Sequence, residues 1–529
     1  MVVFLLRRVK LLLLLLRWTP VSAQGGTVTV PLTAPASAPP LSRSLVSFSL
    51  EQDRWGDWIG QGAGNAFFLN TLNNLKQLTG EPARIRIGAD SEDRTNFNPS
   101  VQLSESEFPA ISTILPYPEA TENVVGANFY LLASKLPPGT QVTWGVNFGQ
   151  NNITAAFLEA TAIVNAFTSA AFRESNITLE AIEIGNEADL YTSNGARNSS
   201  FNVQQYVSQW TTFANNVTAA ANHILGTNVP LQGAAFAGSS HSSTAGFSPQ
   251  AIFQNGILSS PAGSQIKLIS QHHYSGSFCT GTNGILQDLM SKANIRGNLT
   301  SYSADIAAVR QKGLTYVFGE TNSIACHGAP GVSNTAGAAL WGLDYALFAG
   351  QLGITRLYFH QGIGYKYNFI QPATLTNSIL DGSTLSQALS PHIQPLYYAA
   401  VVATEAIGPS GSTTIVELTL NNAQISGYAV LEGNVLVRAV FINLNAFTTG
   451  TRGSVHLTLD FFGYGKQPVS FVVKRLFIPT ANATQGVTWG GQTYETQDGK
   501  VSGVLSTMTV PVSQGLNIND TEAVLLTFS

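Results

Sequence analysis

The sequence predicts an α/β protein: a (β/α)8 barrel followed by a C-terminal antiparallel β-sandwich. Three observations carry that expectation. Between residues 45 and 408, eight short apolar, β-branched runs alternate with stretches whose apolar residues recur at three and four. Beyond Gly408 the helical period stops and strand follows strand to the C-terminus. The 529 residues are 44% hydrophobic and only 11% charged, which suits large cores and excludes a disordered chain.

Taken in order, residues 1–23 read as a secretory signal peptide. Arg7, Arg8 and Lys10 supply charge, Leu11–Leu16 form an apolar run, and Val21-Ser22-Ala23 resembles a cleavage site. That run is too short to span a bilayer, and no later one is long enough, so no membrane partner is expected. Residues 24–44 hold a strand-like run at Thr27–Val30, expected to join the sandwich, and then a Pro/Ala/Ser stretch. The catalytic barrel is expected over 45–408. Its strands fall at 45–50, 83–88, 141–148, 179–185, 230–236, 266–273, 314–319 and 354–360. Helices are expected at 65–78, 153–170, 203–225, 303–312, 335–352 and 392–407. A helix after each strand carries the chain back, which forces parallel pairing. The competing fold, an open doubly wound sheet, usually shows a glycine-rich phosphate turn after its first strand. Here that position reads Glu51-Gln52-Asp53-Arg54-Trp55. Residues 409–529 form the sandwich domain, with strands at 415–420, 429–431, 435–442, 454–459, 469–477, 504–510 and 523–528.

The net charge is −4 and no basic block follows residue 17, which argues against a nucleic-acid surface. Seven Asn-X-Ser/Thr sequons, at Asn152, Asn176, Asn198, Asn216, Asn298, Asn482 and Asn519, point with the leader to a glycosylated, secreted protein. The two cysteines, Cys279 and Cys326, are permitted a disulfide there, and the sequence leaves the bridge open.

Catalytic groups of a parallel barrel sit where strands end. The fourth strand ends Ile184-Gly185-Asn186-Glu187 and the seventh Phe318-Gly319-Glu320. Two carboxylates on opposing strands can flank one glycosidic bond, one as acid and one as nucleophile. A lone strand-end Glu is more often structural; the pair is what indicates catalysis. Asn186 is placed to donate to a sugar hydroxyl. Glu183 faces either the interior or the helices, and Asp93-Arg94 reads as a structural pair. Asp90 and Glu92 follow strand two, where Asp90 is a weaker substrate-contact candidate. His272-His273 lacks a third ligand and reads as site-lining, so no metal and no cofactor is expected. Cys326-His327 reads as bridge or inert thiol rather than nucleophile. Trp55, Trp58 and Trp144 suit sugar stacking or a core equally.

Gly-Asn-Glu on strand four with Glu on strand seven is the pattern of the clan of retaining (β/α)8 glycosidases. Within that clan the chain resembles glycoside hydrolase family 79, the β-glucuronidases and heparanase-like enzymes. The likeness runs through Arg84–Gly88, Gln271–Tyr274, Phe318–Ser323, Gly362–Tyr367 and the all-β tail. The resemblance implies that Glu187 is acid/base, Glu320 nucleophile, and Asn186 a sugar ligand. It implies that Tyr274 hydrogen-bonds the nucleophile, and that Gly364, Tyr365 and Lys366 recognise a uronate carboxylate. The lysine is unusual for that loop, and Asp90 stands where the family has Gly-Gly or Gly-Asn. The expected substrate is a glycan ending in glucuronic acid or its 4-O-methyl form. With 26 lysines and arginines and no basic cluster near the strand ends, exo action is favoured over endo cleavage of sulfated chains. A neutral-sugar relative and a non-catalytic carbohydrate-binding protein remain the alternatives; the oligomeric state is not legible.

Overall fold

The structure, a computed structural model, describes residues 23–226 and 228–529; the leader lies outside them apart from Ala23. Eight parallel strands close a barrel in chain order: β1 (Val46–Glu51), β2 (Ile85–Gly88), β3 (Gln141–Val146), β4 (Thr178–Ile184), β5 (Leu231–Phe236), β6 (Ile266–Tyr274), β7 (Thr315–Asn322) and β8 (Arg356–Gln361). The strands form because alternate side chains serve two environments. Phe48 and Leu50 of β1, Ile85 and Ile87 of β2, and Ile182 and Ile184 of β4 pack outward into the main core. Ser49 and Arg86, and Glu183 beside them, meet inside the barrel.

Helices start and stop where side chains permit. Ala66–Thr79 begins on Asn65, whose side chain accepts from the Phe68 N–H, and ends at left-handed Gly80. Val203–Leu225 is capped likewise by Asn202 and Gly226. The helix expected from residue 392 starts only at Tyr397. Pro395 breaks the helical pattern, and His392–Ile393 instead pairs with Ile370–Gln371. Between β2 and β3 lies a small sheet, Thr95–Phe97, Ser104–Glu107 and Glu122–Val125, whose polar composition concealed it.

Two sheets form the C-terminal sandwich. One is antiparallel in the order Thr413–Glu417, Ile425–Glu432, Val435–Asn443, Glu522–Phe528, Ser470–Phe477 and Thr488–Trp489. In the other, Ser454–Phe462 lies between Ala23–Pro31, which runs parallel to it, and Leu516–Asn519. Ser454–Phe462 alternates exposed and buried along its length, and Val28, Val30, Leu457, Leu459, Phe441 and Leu526 share the core between the sheets. The strand expected over 504–510 shrinks to Met508–Pro511, with Val504 and Leu505 exposed. Of the seven sequon asparagines, five are exposed and two, Asn298 and Asn519, are partly covered. Cys279 and Cys326 are disulfide-bonded. No helix among the described residues is long and apolar enough to cross a membrane.

Barrel and sandwich meet around Arg296 of the helix Lys292–Thr300. Its guanidinium contacts Asp344 of the helix Ala336–Leu352 at 2.5 Å, and Glu417 (2.7 Å) and Tyr428 (2.8 Å) of the sandwich. Asp344 is wholly buried, so Arg296→Ala leaves an uncompensated carboxylate. The expected loss is about 3–5 kcal/mol, read as a fall in the denaturant midpoint. Lys500→Ala, at an exposed ion pair, leaves the midpoint in place.

Candidate active site

The centre of the barrel mouth is organised by one buried cation. Arg86 is fully buried. Its Nε donates to Glu183 Oε1 (2.7 Å), its Nη1 to Ser49 Oγ (2.9 Å) and Glu320 Oε2 (2.9 Å), and its Nη2 to Asn186 Oδ1 (2.8 Å). Glu92 inserts beside it, with 3.7 Å between Arg86 Nη2 and Glu92 Oε2. Gly88 and Gly145 admit Glu92, because a Cβ at either would collide with its carboxyl. Burial pushes the Glu92 carboxyl well above its ordinary pKa.

Glu320 leaves β7 at a register shift against both neighbouring strands. Tyr274, at the end of β6, donates its hydroxyl to Glu320 Oε1 at 2.7 Å. Burial alone would raise the Glu320 pKa; the His360 imidazole, the Arg86 guanidinium and the Tyr274 hydroxyl overcome it and hold the carboxyl at about 2. His360 Nδ1 lies 3.9 Å from Glu320 Oε2, and its Nε2 bonds Glu51 Oε1 at 3.1 Å. Burial lowers the His360 pKa, but Glu320 and Glu51 win and bring it to about 9.

Glu187 is delivered differently. Gly185 turns the chain at φ 78°, and Glu187 itself is left-handed at φ 50°, its N–H bonded to Ala235 O at 2.8 Å. Non-glycine residues hold that conformation only where the surroundings impose it, often at functional sites. The Glu187 Oε1 lies 2.9 Å from His272 Nδ1. Burial pushes His272 down to about 3, so the imidazole is neutral and does not draw the Glu187 proton away. Burial, then Glu320 and Asp90, push the Glu187 pKa well above its ordinary value. Donor atoms of Glu187, His272 and Glu320 lie within 4.8 Å of one another. Two carboxyls therefore face one gap, one ionised and one protonated, as acid and nucleophile require. These three groups also resemble a cation site, but Arg86 and Tyr274 already occupy both Glu320 oxygens.

The remaining expected residues divide. Asn186 stands beside the pair, its amide donating to Asp90 Oδ1 at 3.0 Å on the exposed rim. Glu187, Asn186, Asp90 and Arg94 line a cavity of 230 Å³. Asp93 does not pair with Arg94: it accepts from Phe148 N, Gly149 N and the Tyr191 hydroxyl, while Arg94 donates to Ala120 O at 3.0 Å. Glu183 faces the barrel interior. His273 faces the other way, against Tyr302 and Phe318. Trp55, Trp58 and Trp144 are wholly buried among aromatic neighbours, so they serve the core and not a sugar face.

In the loop after β8 the three expected uronate contacts bond to the protein itself. The Gly364 N–H donates to Gln371 Oε1 (3.0 Å), Tyr365 Oη donates to Glu119 Oε1 (3.1 Å), and Lys366 Nζ donates to Ile114 O (3.1 Å). The loop's own amides cause this: Gln361, Asn368 and Gln371 satisfy its backbone from within, leaving Gly364 no free donor. Arg86, His360 and Glu119 are the site residues that sequence reasoning passed over, while His272 lines the site as expected. Arg86 had a signal, a charge shared only with Arg84 on the inward face of an otherwise apolar strand; Glu119 sits in a loop with none.

A closed parallel barrel bearing facing carboxyls at the ends of β4 and β7 defines a barrel glycoside hydrolase. Residues 427–525 match the glycosyl hydrolase family 79 C-terminal beta domain. The chain is 27% identical over 511 residues to a β-glucuronidase of Neurospora crassa, covering 88% of this chain and 87% of that one. It is 28% identical over 495 residues to a β-glucuronidase of Aspergillus niger, covering 89% and 86%. A crystal structure of a 4-O-α-L-rhamnosyl-β-D-glucuronidase from Fusarium oxysporum, in complex with Rha-GlcA, superposes with a TM-score of 0.78 at 26% identity, covering 95% of this chain and all of that one. A family 51 α-L-arabinofuranosidase of Bifidobacterium longum, at 14% identity and a TM-score of 0.58, shares the fold. The C-terminal match and these whole-length likenesses place the chain among β-glucuronidase-like glycoside hydrolases.

Two outcomes follow from the site's electrostatics. With Glu320 as nucleophile, the acid limb of kcat/KM is expected near pH 2, where that carboxylate is protonated. The alkaline limb belongs to Glu187, whose raised pKa keeps the acid protonated until pH climbs through it; Glu187→Ala removes that limb from the profile. Arg86→Lys cannot hold Glu183, Glu320 and Asn186 with one planar fork, and is expected to cut kcat by about 10²-fold.

Proposed function

We propose that the protein is a secreted, exo-acting, retaining β-glucuronidase that releases terminal glucuronic acid, or its 4-O-methyl form, from glycans. The observation that carries the retaining mechanism is the approach of the two carboxyls within 4.8 Å. Retaining pairs stand about 5–5.5 Å apart, whereas inverting pairs need about 6.5–9.5 Å to admit a water. Glu320 attacks the anomeric carbon while Glu187 protonates the departing glycosidic oxygen, leaving a glycosyl ester on Glu320. Glu187, now a carboxylate, takes a proton from water, which displaces Glu320 and restores both groups. Tyr274 and Arg86 orient the nucleophile, and Asn186 offers its amide to the sugar.

The glucuronide reading is supported by likeness to the Neurospora and Aspergillus β-glucuronidases and to the Fusarium enzyme. It fits the buried Lys366 ammonium, which has no carboxylate partner among the described residues and lies 5.1 Å from the Phe278 ring centroid. Gly364, Tyr365 and Lys366 are the proposed uronate contacts, and a bound uronate would exchange for their present partners Gln371, Glu119 and Ile114. Exo action is supported by the scarcity of lysine and arginine, 26 in all, with no basic cluster near the strand ends to hold a sulfated chain. Secretion is supported by the leader-like N-terminus, the sequons and the disulfide.

A chromogenic panel tests the proposal. The p-nitrophenyl β-glucuronide is expected to turn over at least about tenfold faster than the glucoside, galactoside and xyloside. Glu320→Gln abolishes turnover, and NMR of the first product shows the β-anomer. Turnover of neutral glycosides alone removes the uronate reading, and an α-anomer removes retention.

A further inference from the structure

We propose that His327 is a positioning residue, held by the Cys279–Cys326 disulfide, that clamps the loop of residues 108–121 over the barrel mouth through Glu119. The loop contains neither helix nor strand, so its tethers decide where it lies. One end is tied beside the catalytic cavity: Ala120 N donates to Asp53 Oδ2 (2.5 Å), and Ala120 O accepts from Arg94. Tyr117 Oη reaches Asn377 O at 2.9 Å and Ile114 O receives Lys366, both beyond β8. The loop thus arches over the end of β1, between the mouths of β2 and β8.

Glu119 is its charged anchor. Its Oε1 meets His327 Nε2 at 2.5 Å and receives the Tyr365 hydroxyl; its Oε2 has no partner among the described residues. Burial would raise the Glu119 pKa, but His327 outweighs it and holds the group ionised. His327 is in turn fixed on two sides. Its ring stacks on Tyr365 with centroids 3.6 Å apart and planes at 14°. Its backbone is left-handed at φ 67°, directly after Cys326 at φ 59°. Two successive non-glycine residues in that region need outside restraint. The bridge to Cys279 supplies it, helped by Ala325 N–H bonding Gly276 O at 2.9 Å. The β6 and β7 loops are thereby joined, and through His327 they hold the 108–121 loop.

The catalytic carboxyls do not depend on this clamp. Glu320 is held by Arg86 and Tyr274, and Glu187 by His272. Releasing the clamp should therefore weaken substrate capture and spare the chemical step. The kinetic part rests on the glycosidase reading above; the loop measurement does not.

The test uses the full-length protein with His327→Ala, His327→Gln and the double variant Cys279→Ser/Cys326→Ser. Hydrogen exchange is followed across the chain, with kcat and KM on whichever glycoside the wild type cleaves. His327→Ala and the double variant are expected to speed exchange in residues 108–121 selectively. They should raise KM about tenfold, the scale of one hydrogen bond to a charged group, with kcat within about twofold. His327→Gln, whose amide can donate to Glu119, should recover most of both effects. Unchanged exchange in 108–121 overturns the clamp, as does faster exchange throughout the barrel, which marks general destabilisation. A protein that cleaves no glycoside defeats the enzymatic reading and leaves the exchange result to decide the clamp.

Discussion

The structure depends on the burial of one guanidinium. Arg86 is cut off from water, and a lone charge there would be severely unfavourable. It is tolerated because Glu183 and Glu320 meet it in hydrogen-bonded geometry, with Ser49 and Asn186 taking remaining donors. The same planar group joins four elements: β1, β2, and the ends of β4 and β7. The position of the proposed nucleophile, the orientation of the neighbouring amide and the packing of the barrel interior therefore reduce to one constraint. Glu92 completes the cluster, its carboxyl pushed well above the ordinary pKa by burial.

That constraint also separates the two carboxyls chemically. Glu320 lies on the cationic side, near Arg86 and His360, and stays ionised. Glu187 lies on the far side, against a neutral His272 and within the field of Glu320 and Asp90, and keeps its proton. Both groups feel burial; the difference is which charges stand next to each. Identical side chains are thereby set to opposite protonation tendencies, the division that an acid and a nucleophile require.

Around this rigid centre, substrate access is governed by loops that the barrel does not itself specify. The segment after β8 spends its backbone donors on Gln361, Asn368 and Gln371, which makes it a self-supporting wall. The 108–121 loop has one internal turn, Ser112–Leu115, and is otherwise fastened from outside. The facing carboxyls and the tethered loop are therefore held by separate sets of contacts.

Periodicity alone revealed the eight strands, the start of Val203–Leu225 and the change from barrel to sandwich, because repeated burial of one face leaves a local trace. Strand-end position likewise brought out Glu187 and Glu320. Residue 392 was misplaced because a short ladder and Pro395 override helical spacing. The bond from the Gly364 N–H to Gln371 Oε1 had no trace in the sequence, because a backbone N–H is committed by whichever amide folds back onto it. Arg86, His272 and His327 acquire their meaning from partners far away in the chain. Only the folded arrangement decides which charges become neighbours in a medium too apolar to screen them, and so which of two glutamates carries the proton.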